Sequence, residues 1–250
     1  VYSGVYTLPI DQLDIETEYI WQVTVTDGIH SSQKTFNFST GFSVDKWECR
    51  RLITLNQSYT NNNFSDFPIL IDIIDSDISI KAQANGEDIL FTDIDLNKLD
   101  FEIESFNKTN GHLVAWVKLP RIIKDKDTNI YLYYSNNNAE SQSNNKDVWV
   151  NYTMVQHLEE TTGSYITDST TYANDGIPQN DPQLDVIGKI NGADQFDGFD
   201  DHVLISDSSS LDGDGSWEEL SAEAWIYLTE DQTGTRILSK RIGSPTGVDK

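Results

Sequence analysis

The sequence predicts an all-β protein built from tandem β-sandwich and jelly-roll modules. Its 41 acidic residues divide into 28 Asp and 13 Glu. Asp and Asn close turns and tolerate left-handed backbone, whereas Glu favours helix faces, so this bias predicts many turns. Short apolar runs, several of which alternate with polar residues, recur along the chain between polar loops. Such runs are typical of strands in sandwiches and barrels.

Composition excludes some functions before any motif is considered. The 250 residues carry a net charge of -24 and no basic stripe, which would repel a nucleic-acid backbone. No apolar stretch reaches the ~20 residues that a membrane span needs. The single Cys49 excludes an internal disulfide framework. The length predicts two domains or pieces of three, and we expect a fragment of a larger protein because Val1 opens in mid-domain.

Residues 1–40 predict the end of a first module. Glu18–Thr26 places Tyr, Trp and Val side chains on alternate positions, and Phe36 and Phe38 repeat this alternation after a loop that contains Gly28. Two such runs around a Gly-containing loop predict a β-hairpin. The pattern resembles the last two strands of a fibronectin type III or immunoglobulin-like sandwich. That resemblance implies that the rest of the module lies upstream.

Residues 41–149 predict a second β module, in which Phe67–Ile74 is a buried run that forms a strand. The segment contains the motifs Trp47-x-x-Arg50-x-x-Ile53-Thr54, Asn85-Gly86-Glu87-Asp88-Ile89-x-Phe91-Thr92, Leu113-Val114-Ala115-Trp116-Val117-Lys118-Leu119-Pro120 and Ile130-Tyr131-Leu132-Tyr133-Tyr134-x-Asn136. In this order they resemble the domain of unknown function 2341. The resemblance implies a β-rich module of large microbial surface proteins with no established activity. Ser135 departs from the family pattern, which has Gly there.

Residues 150–250 predict the N-terminal part of a third module. This prediction rests on the motifs Val155-x-His157-Leu158, Asn174-Asp175-Gly176, Gly192-Ala193-x-x-Phe196-Asp197-Gly198-x-Asp200-Asp201-x-Val203 and Ala222-Glu223-Ala224-Trp225-Ile226. The last of these motifs is predicted to form a strand. Together they are similar to a laminin-G-like, concanavalin-type jelly roll. Such jelly rolls need well over a hundred residues, so we expect the domain to be incomplete within this chain.

One acidic row could support catalysis. On a strand, Asp100, Glu102 and Glu104 would face one way, as the paired carboxylates of retaining β-glucanases do. The alternative is an acidic, solvent-facing strand surface. We favour that alternative because no cluster of aromatic residues marks a sugar cleft. The four His residues show no zinc-ligand spacing and no Gly-x-Ser-x-Gly elbow occurs, so we expect a protein that is not an enzyme.

Calcium is the cofactor that the third module favours. Hard cations bind several loop carboxylates, and jelly rolls of this class often hold Ca²⁺. The candidate ligands are Asp168, Asp175, Asp197, Asp200 and Asp201. Ordinary turn formation explains the same aspartates equally well.

Five Asn-x-Ser/Thr sequons lie at strand ends or in polar loops, where a glycan would fit. They begin at Asn37, Asn56, Asn63, Asn107 and Asn151. In a chain so rich in Asn, several would arise by chance. The glycoprotein interpretation and the chance interpretation therefore stand at even weight.

The modular pattern leads to two hypotheses. The first is a non-enzymatic structural or adhesive segment of a large extracellular microbial surface protein, within a filament or surface layer, whose partners are copies of itself or other surface proteins. The second is a carbohydrate-binding accessory region of a secreted glycoside hydrolase, whose partners are glycans. Exposed aromatic platforms would favour the second hypothesis.

Overall fold

A computed structural model describes residues 18–39, 43–213, 219–229 and 236–240. It contains 41% strand and 8% helix, which confirms the all-β prediction. The chain divides into two compact units, Val1–Val148 and Trp149–Lys250. None of the helices in the described ranges has the length and apolar character to cross a membrane.

Among the described residues, the chain starts with an antiparallel hairpin of β1 (Glu18–Thr26) and β2 (Ser31–Ser39), which pair without interruption. Its turn is held by Asp27, whose Oδ1 accepts the backbone amides of Ile29 at 2.9 Å and His30 at 2.7 Å. An Asp side chain that bonds to the backbone two and three residues ahead is the usual way in which this residue closes a turn.

Two three-stranded antiparallel sheets form a sandwich within the first unit. Their strands are β3 (Cys49–Leu55), β4 (Phe64–Ile74), β5 (Leu90–Asp93), β6 (Phe101–Asn107), β7 (His112–Ile122) and β8 (Thr128–Tyr134). The strand order is β3-β8-β5 in one sheet and β4-β7-β6 in the other. Buried side chains from both sheets form one continuous hydrophobic core. The two sheets therefore stabilise each other by shared burial.

Alternation along the strands supplies this core. Pairing places Ile71 opposite Ala115 and Ile69 opposite Val117, so one face of β4 and β7 is apolar. Phe101 of β6 contacts Phe91 of β5 edge to face, with ring centroids 5.2 Å apart, which joins the two sheets. Both rings are fully buried, and each such burial stabilises the fold by about 1.5–3 kcal/mol.

The strand predicted at Phe67–Ile74 forms, but the run is buried only in part. Within the described ranges β4 pairs only with β7, so it lies at a sheet edge. Its side chains are unevenly covered: Phe67 is 39% exposed and Ile74 is 70% exposed. A run of apolar residues indicates a strand, but it cannot tell a central strand from an edge strand.

The helix α1 (Ser76–Lys81) begins at a buried acid. Asp75 Oδ1 accepts the amides of Asp77 at 2.7 Å and Ile78 at 3.2 Å, which satisfies donors that the first turn leaves free. Its other oxygen forms an ion pair with Arg51 of β3. The other helical segments in the described ranges are α2 (Asn145–Val148) and 3₁₀ turns at Gln57–Tyr59 and Ser209–Leu211.

The described part of the second unit contains four short strands: β9 (Gly176–Gln179), β10 (Gln183–Ile187), β11 (Gly192–Gln195) and β12 (His202–Ile205). β9 pairs with β12 and β10 pairs with β11, both antiparallel. The predicted strand at 222–226 is absent, since residues 219–229 contain no strand. The resemblance to a jelly roll predicted it, and a strand forms only where a partner supplies hydrogen bonds.

Candidate functional site

The five aspartates that the sequence predicts as calcium ligands fall into two groups in the second unit. Asp168 and Asp175 belong to one turn, where they bond to the backbone. Asp197, Asp200 and Asp201 lie together after β11, with one carboxylate oxygen of each within 4.8 Å of the others. We call these three residues the Asp197 cluster.

Asp168 organises its turn through four hydrogen bonds, and its residue is only 5% exposed. Oδ1 accepts the amides of Val155 at 2.8 Å and Thr170 at 3.0 Å. Oδ2 accepts the Thr170 hydroxyl at 2.7 Å and the Asn174 amide at 2.8 Å. The Asp168 amide in turn donates to Asp175 Oδ1 at 2.9 Å. Both Asp168 oxygens thus have a structural role that needs no cation.

The Asp197 cluster has the donor set that calcium prefers, since all three groups are carboxylates on a loop. Backbone bonds already fix part of it: Asp197 Oδ1 accepts the Phe199 amide at 2.8 Å, and the Asp197 amide donates to Asp201 Oδ2 at 2.8 Å. The bond from Phe199 is the main reason that the pKa of Asp197 lies below its ordinary value. These bonds account for the loop without a metal, and the three carboxylates could hold one.

The structure reveals two acids that the sequence did not predict as a site. Glu160 Oε2 and both carboxylate oxygens of Asp194 are buried and accept no hydrogen bond of normal geometry. Burial raises the pKa of Asp194 to about 6; the backbone amide of Asp185 opposes this rise, while the Glu160 and Asp185 carboxylates add to it. The one sequence signal is an acid inside a short strand, at Asp194 of β11.

The acidic row at Asp100, Glu102 and Glu104 is not the solvent-facing surface that we expected. Glu102 and Glu104 are each only 8% exposed, and a β-bulge between Ile103 and Ser105 interrupts the pairing of β6 with β7. A bulge adds an unpaired residue, so the strict alternation on which the prediction depended ends there.

Asp100 and Glu104 each contact a side chain of β7, and Glu102 is buried. The Trp116 indole N–H donates to Glu104 Oε2 at 2.6 Å. Asp100 forms an ion pair with Lys118 at 2.8 Å and accepts a hydrogen bond from the Asn144 side chain. These contacts tie β6 to its neighbours, which is a structural use of the acids.

All five sequon asparagines are exposed: Asn37, Asn56, Asn63, Asn107 and Asn151. In three of them the carbonyl oxygen of the side chain accepts a backbone amide, from Ser58 to Asn56, from Lys124 to Asn63 and from Thr109 to Asn107. In these three side chains the bond uses the oxygen and not the amide nitrogen, the atom to which a glycan attaches.

A shallow apolar concavity lies at one open side of the sandwich, between the edge strands β3 and β4. It is lined by Ile53–Leu55 and Ile69–Ile73. No charged group other than Asp72 lines it, so it offers little that could orient a polar substrate.

Comparison with known proteins gives one match. The model of the domain of unknown function DUF2341 matches residues 85–220, which is more than half of the chain. The match begins inside the sandwich, whose motifs we placed at 41–149, and continues through β9 to β12. No curated protein and no solved structure matches the chain significantly. The chain therefore belongs to the DUF2341 family.

Proposed function

We propose that the chain is a non-enzymatic structural or adhesive segment of a large extracellular microbial surface protein, part of a filament or surface layer. The observation that carries the proposal is the use of buried acids as internal ties. Asp75, Asp88 and Asp168 are each at most 5% exposed, and all three hold backbone amides.

Two of these ties join parts of the sandwich that are distant in sequence. Asp88 accepts the amide of Ser135, 47 positions away, and Asp75 pairs with Arg51 of β3. Charge-assisted hydrogen bonds in a buried setting are stronger than neutral ones and make one arrangement preferred. Such a network suits a module that must keep its shape while it links neighbours.

The wider setting belongs to the same proposal. A preceding fibronectin-like or immunoglobulin-like module and a laminin-G-like jelly roll after the sandwich would place the chain in a string of β modules. The exposed sequons suit a glycosylated, extracellular protein. Ca²⁺ at the Asp197 cluster would neutralise part of the net charge of -24.

Surface labelling tests this proposal. Antibodies raised against the purified chain should label intact, unpermeabilised cells of the source microbe, and brief external protease treatment should remove the label. A cytoplasmic protein serves as the internal control, because its signal must survive the same treatment. Labelling that appears only after the cells are opened would refute the surface role.

The hairpin supports the second candidate function, carbohydrate binding. One of its faces carries two aromatic pairs: Tyr19 with Phe38, at 5.6 Å between ring centroids, and Trp21 with Phe36, at 5.2 Å. Trp21 is 49% exposed. Exposed aromatic faces that also carry a polar group suit sugar rings, which are apolar on one face and polar at the rim.

A glycan array separates the two functions. Specific binding to one polysaccharide that is lost in Trp21→Ala and kept in Tyr59→Ala would favour carbohydrate binding, since Tyr59 is an exposed ring outside the hairpin. No binding by the unaltered chain leaves the structural function as the better account. Hydrolysis of a β-glucan that Glu102→Gln abolishes would refute both non-catalytic functions.

A further inference from the structure

The two faces of the hairpin differ in chemical character. Residues that lie opposite each other in an antiparallel pair share a face, and the register of β1 with β2 groups aromatic, aliphatic and basic side chains on one side. These side chains, which we call the aromatic face, are Tyr19 opposite Phe38, Trp21 opposite Phe36, and Val23 opposite Lys34. The rings of Trp21, Phe36 and Phe38 are exposed, so a ligand can reach them.

The other face of the hairpin satisfies its own polar groups. Gln22 Nε2 donates to the Thr35 hydroxyl at 3.3 Å. Glu18, the only acid in the two strands, also lies on this side, where its Oε1 accepts the Asn37 side-chain amide at 3.0 Å. Water suits such a surface, and the aromatic face is the one that has apolar area to cover.

Lys34 gives the aromatic face its only charge, because the one acid of the two strands lies on the opposite side. Its Nζ lies 5.1 Å from the centroid of the Phe36 ring and pairs with no carboxylate among the described residues. At physiological salt, exposed charges more than about 8 Å apart are largely screened. A ligand on this face therefore meets a local positive charge, although the chain as a whole carries -24.

This charge decides which kind of partner fits. An apolar sheet packed over the rings would also cover Lys34, and an ammonium group is almost never buried without a partner. The fitting partner is apolar against Trp21 and Phe36, whose ring centroids are 5.2 Å apart, and anionic beside Lys34. The Phe36 and Lys34 positions are two residues apart on one strand, a separation of about 7 Å, so a single sugar ring and its substituent can reach both.

We propose that the aromatic face binds uronic acids, which are pyranose rings that carry a carboxylate, within an acidic polysaccharide. The proposal rests on the carbohydrate-binding function that the hairpin supports, and it names the class of ligand. The C–H side of one sugar ring packs on Trp21 and Phe36, and its carboxylate pairs with Lys34 Nζ. Tyr19 and Phe38 form the next aromatic pair along the strands and pack on a neighbouring sugar of the same polymer.

Binding of sugar acids and of their methyl esters by the full chain tests the proposal. The probes are oligosaccharides of galacturonic, glucuronic and mannuronic acid, each compared by calorimetry with its methyl ester, which keeps the ring and removes the charge. The unaltered chain should bind at least one acid more tightly than the matching ester, and added salt should weaken only the acid. Lys34→Gln should weaken binding of that acid about fivefold and leave the ester unchanged. Trp21→Ala should weaken both forms, by about tenfold.

Two variants serve as controls. Lys34→Arg keeps the charge and should keep the preference for the acid, and Lys124→Gln, which removes an exposed lysine of the sandwich, should bind as the unaltered chain does. Because Lys34 is exposed, Lys34→Gln should melt at the temperature of the unaltered chain, which shows that it folds.

Three results would overturn the proposal. Equal binding of acid and ester, or unchanged binding by Lys34→Gln, would show that the carboxylate is not recognised, while carbohydrate binding itself would stand. Binding of polyglutamate as tight as that of the sugar acid would show that charge alone is recognised. If none of the three sugar acids binds, the proposal fails, and binding to a neutral polysaccharide on the glycan array would show that the carbohydrate-binding function survives it.

Discussion

The backbone amide of Ser135 donates a 2.7 Å hydrogen bond to Asp88 Oδ2, across 47 positions of the chain. The same oxygen accepts the Asn136 amide at 3.0 Å, and Oδ1 accepts the Gln83 amide at 2.8 Å. Asp88 is completely buried. This carboxylate therefore fixes the loop that leaves β8 against the loop that enters β5.

We expect Asp88→Asn to destabilise the sandwich by about 2–4 kcal/mol. The amide keeps the shape of the side chain, but it turns an N–H toward backbone donors and leaves buried amides without an acceptor. Urea unfolding monitored by tryptophan fluorescence measures the loss. Asp95→Asn, which makes the same charge change at an exposed position, should stay within about 0.5 kcal/mol of the unaltered chain. Equal losses in the two variants would contradict this role.

Ser135 occupies a position that suits glycine. Its φ is 70°, in the left-handed region that a side chain makes unfavourable. We expect Ser135→Gly to raise the free energy of unfolding by about 0.5–1 kcal/mol, because glycine adopts this conformation without a Cβ clash.

Ser135→Ala separates conformation from hydroxyl chemistry. Alanine keeps the Cβ and removes only the Oγ, which lies 3.4 Å from Glu48 Oε2 at an exposed position. Its stability should match that of the unaltered chain in the same urea assay. If Ala stabilises as much as Gly, strain at this position is not the cause.

The sequence predicts the class of the fold well and its details unevenly. Period-2 alternation predicts the strand β1, because successive side chains of a strand point to opposite faces, and the strand β7 buries most of the side chains that were predicted to be apolar. It fails at Glu104, where a bulge adds a residue, and at β4, whose edge position depends on which strands pair. Both features are decided by tertiary pairing, which no local pattern contains.

For the candidate site, too, the sequence predicted some residues and missed others. The sequence identified the aspartates at 197, 200 and 201 because they lie close together in the chain, and the structure brings their oxygens together. It also grouped Asp168 with them, although that carboxylate is used by its own turn. Glu160 and Asp194 were missed because they are 34 positions apart (194 minus 160) and only the fold buries both.

Acid should weaken the tie between Asp100 and Lys118. Burial alone would raise the pKa of Asp100, but the Lys118 ion pair and the bond from Asn144 hold it below its ordinary value of 3.8. A carboxyl with a depressed pKa in the folded state stabilises the fold above pH 3.8, and this contribution disappears as the pH falls through the folded pKa.

Melting temperatures of the unaltered chain and Asp100→Asn between pH 6 and about pH 2 measure this contribution. The unaltered chain should be the more stable at pH 6, and the difference should shrink as both forms become uncharged at this position. Lys118→Met should remove the part of this pH dependence that the ion pair supplies, while the bond from Asn144 keeps the rest. A difference that stays constant over the whole range would mean that the charge of Asp100 contributes nothing.

The last prediction concerns Gly111, in the turn between β6 and β7. Its φ is 69°, and a Cβ there would lie 1.9 Å from the Asp75 carbonyl oxygen. That carbonyl accepts the Ser79 amide inside α1, so it cannot move away without breaking the first turn of the helix. Gly111→Ala should therefore cost at least about 3 kcal/mol, from the clash together with the unfavourable backbone angle.

Gly28→Ala measures the loss of stability that comes from the backbone conformation alone. Gly28 also has a positive φ, of 91°, but no atom lies within 4 Å of its added Cβ. This variant should lose only about 1 kcal/mol from the hairpin, which is the cost of placing a side chain in the left-handed region. Urea unfolding gives the free energy that each variant loses. The difference between these two losses is the cost of the clash where α1 approaches the β6–β7 turn. Equal losses would show that the approach is loose enough to relax, and that backbone strain alone explains why glycine is needed at position 111.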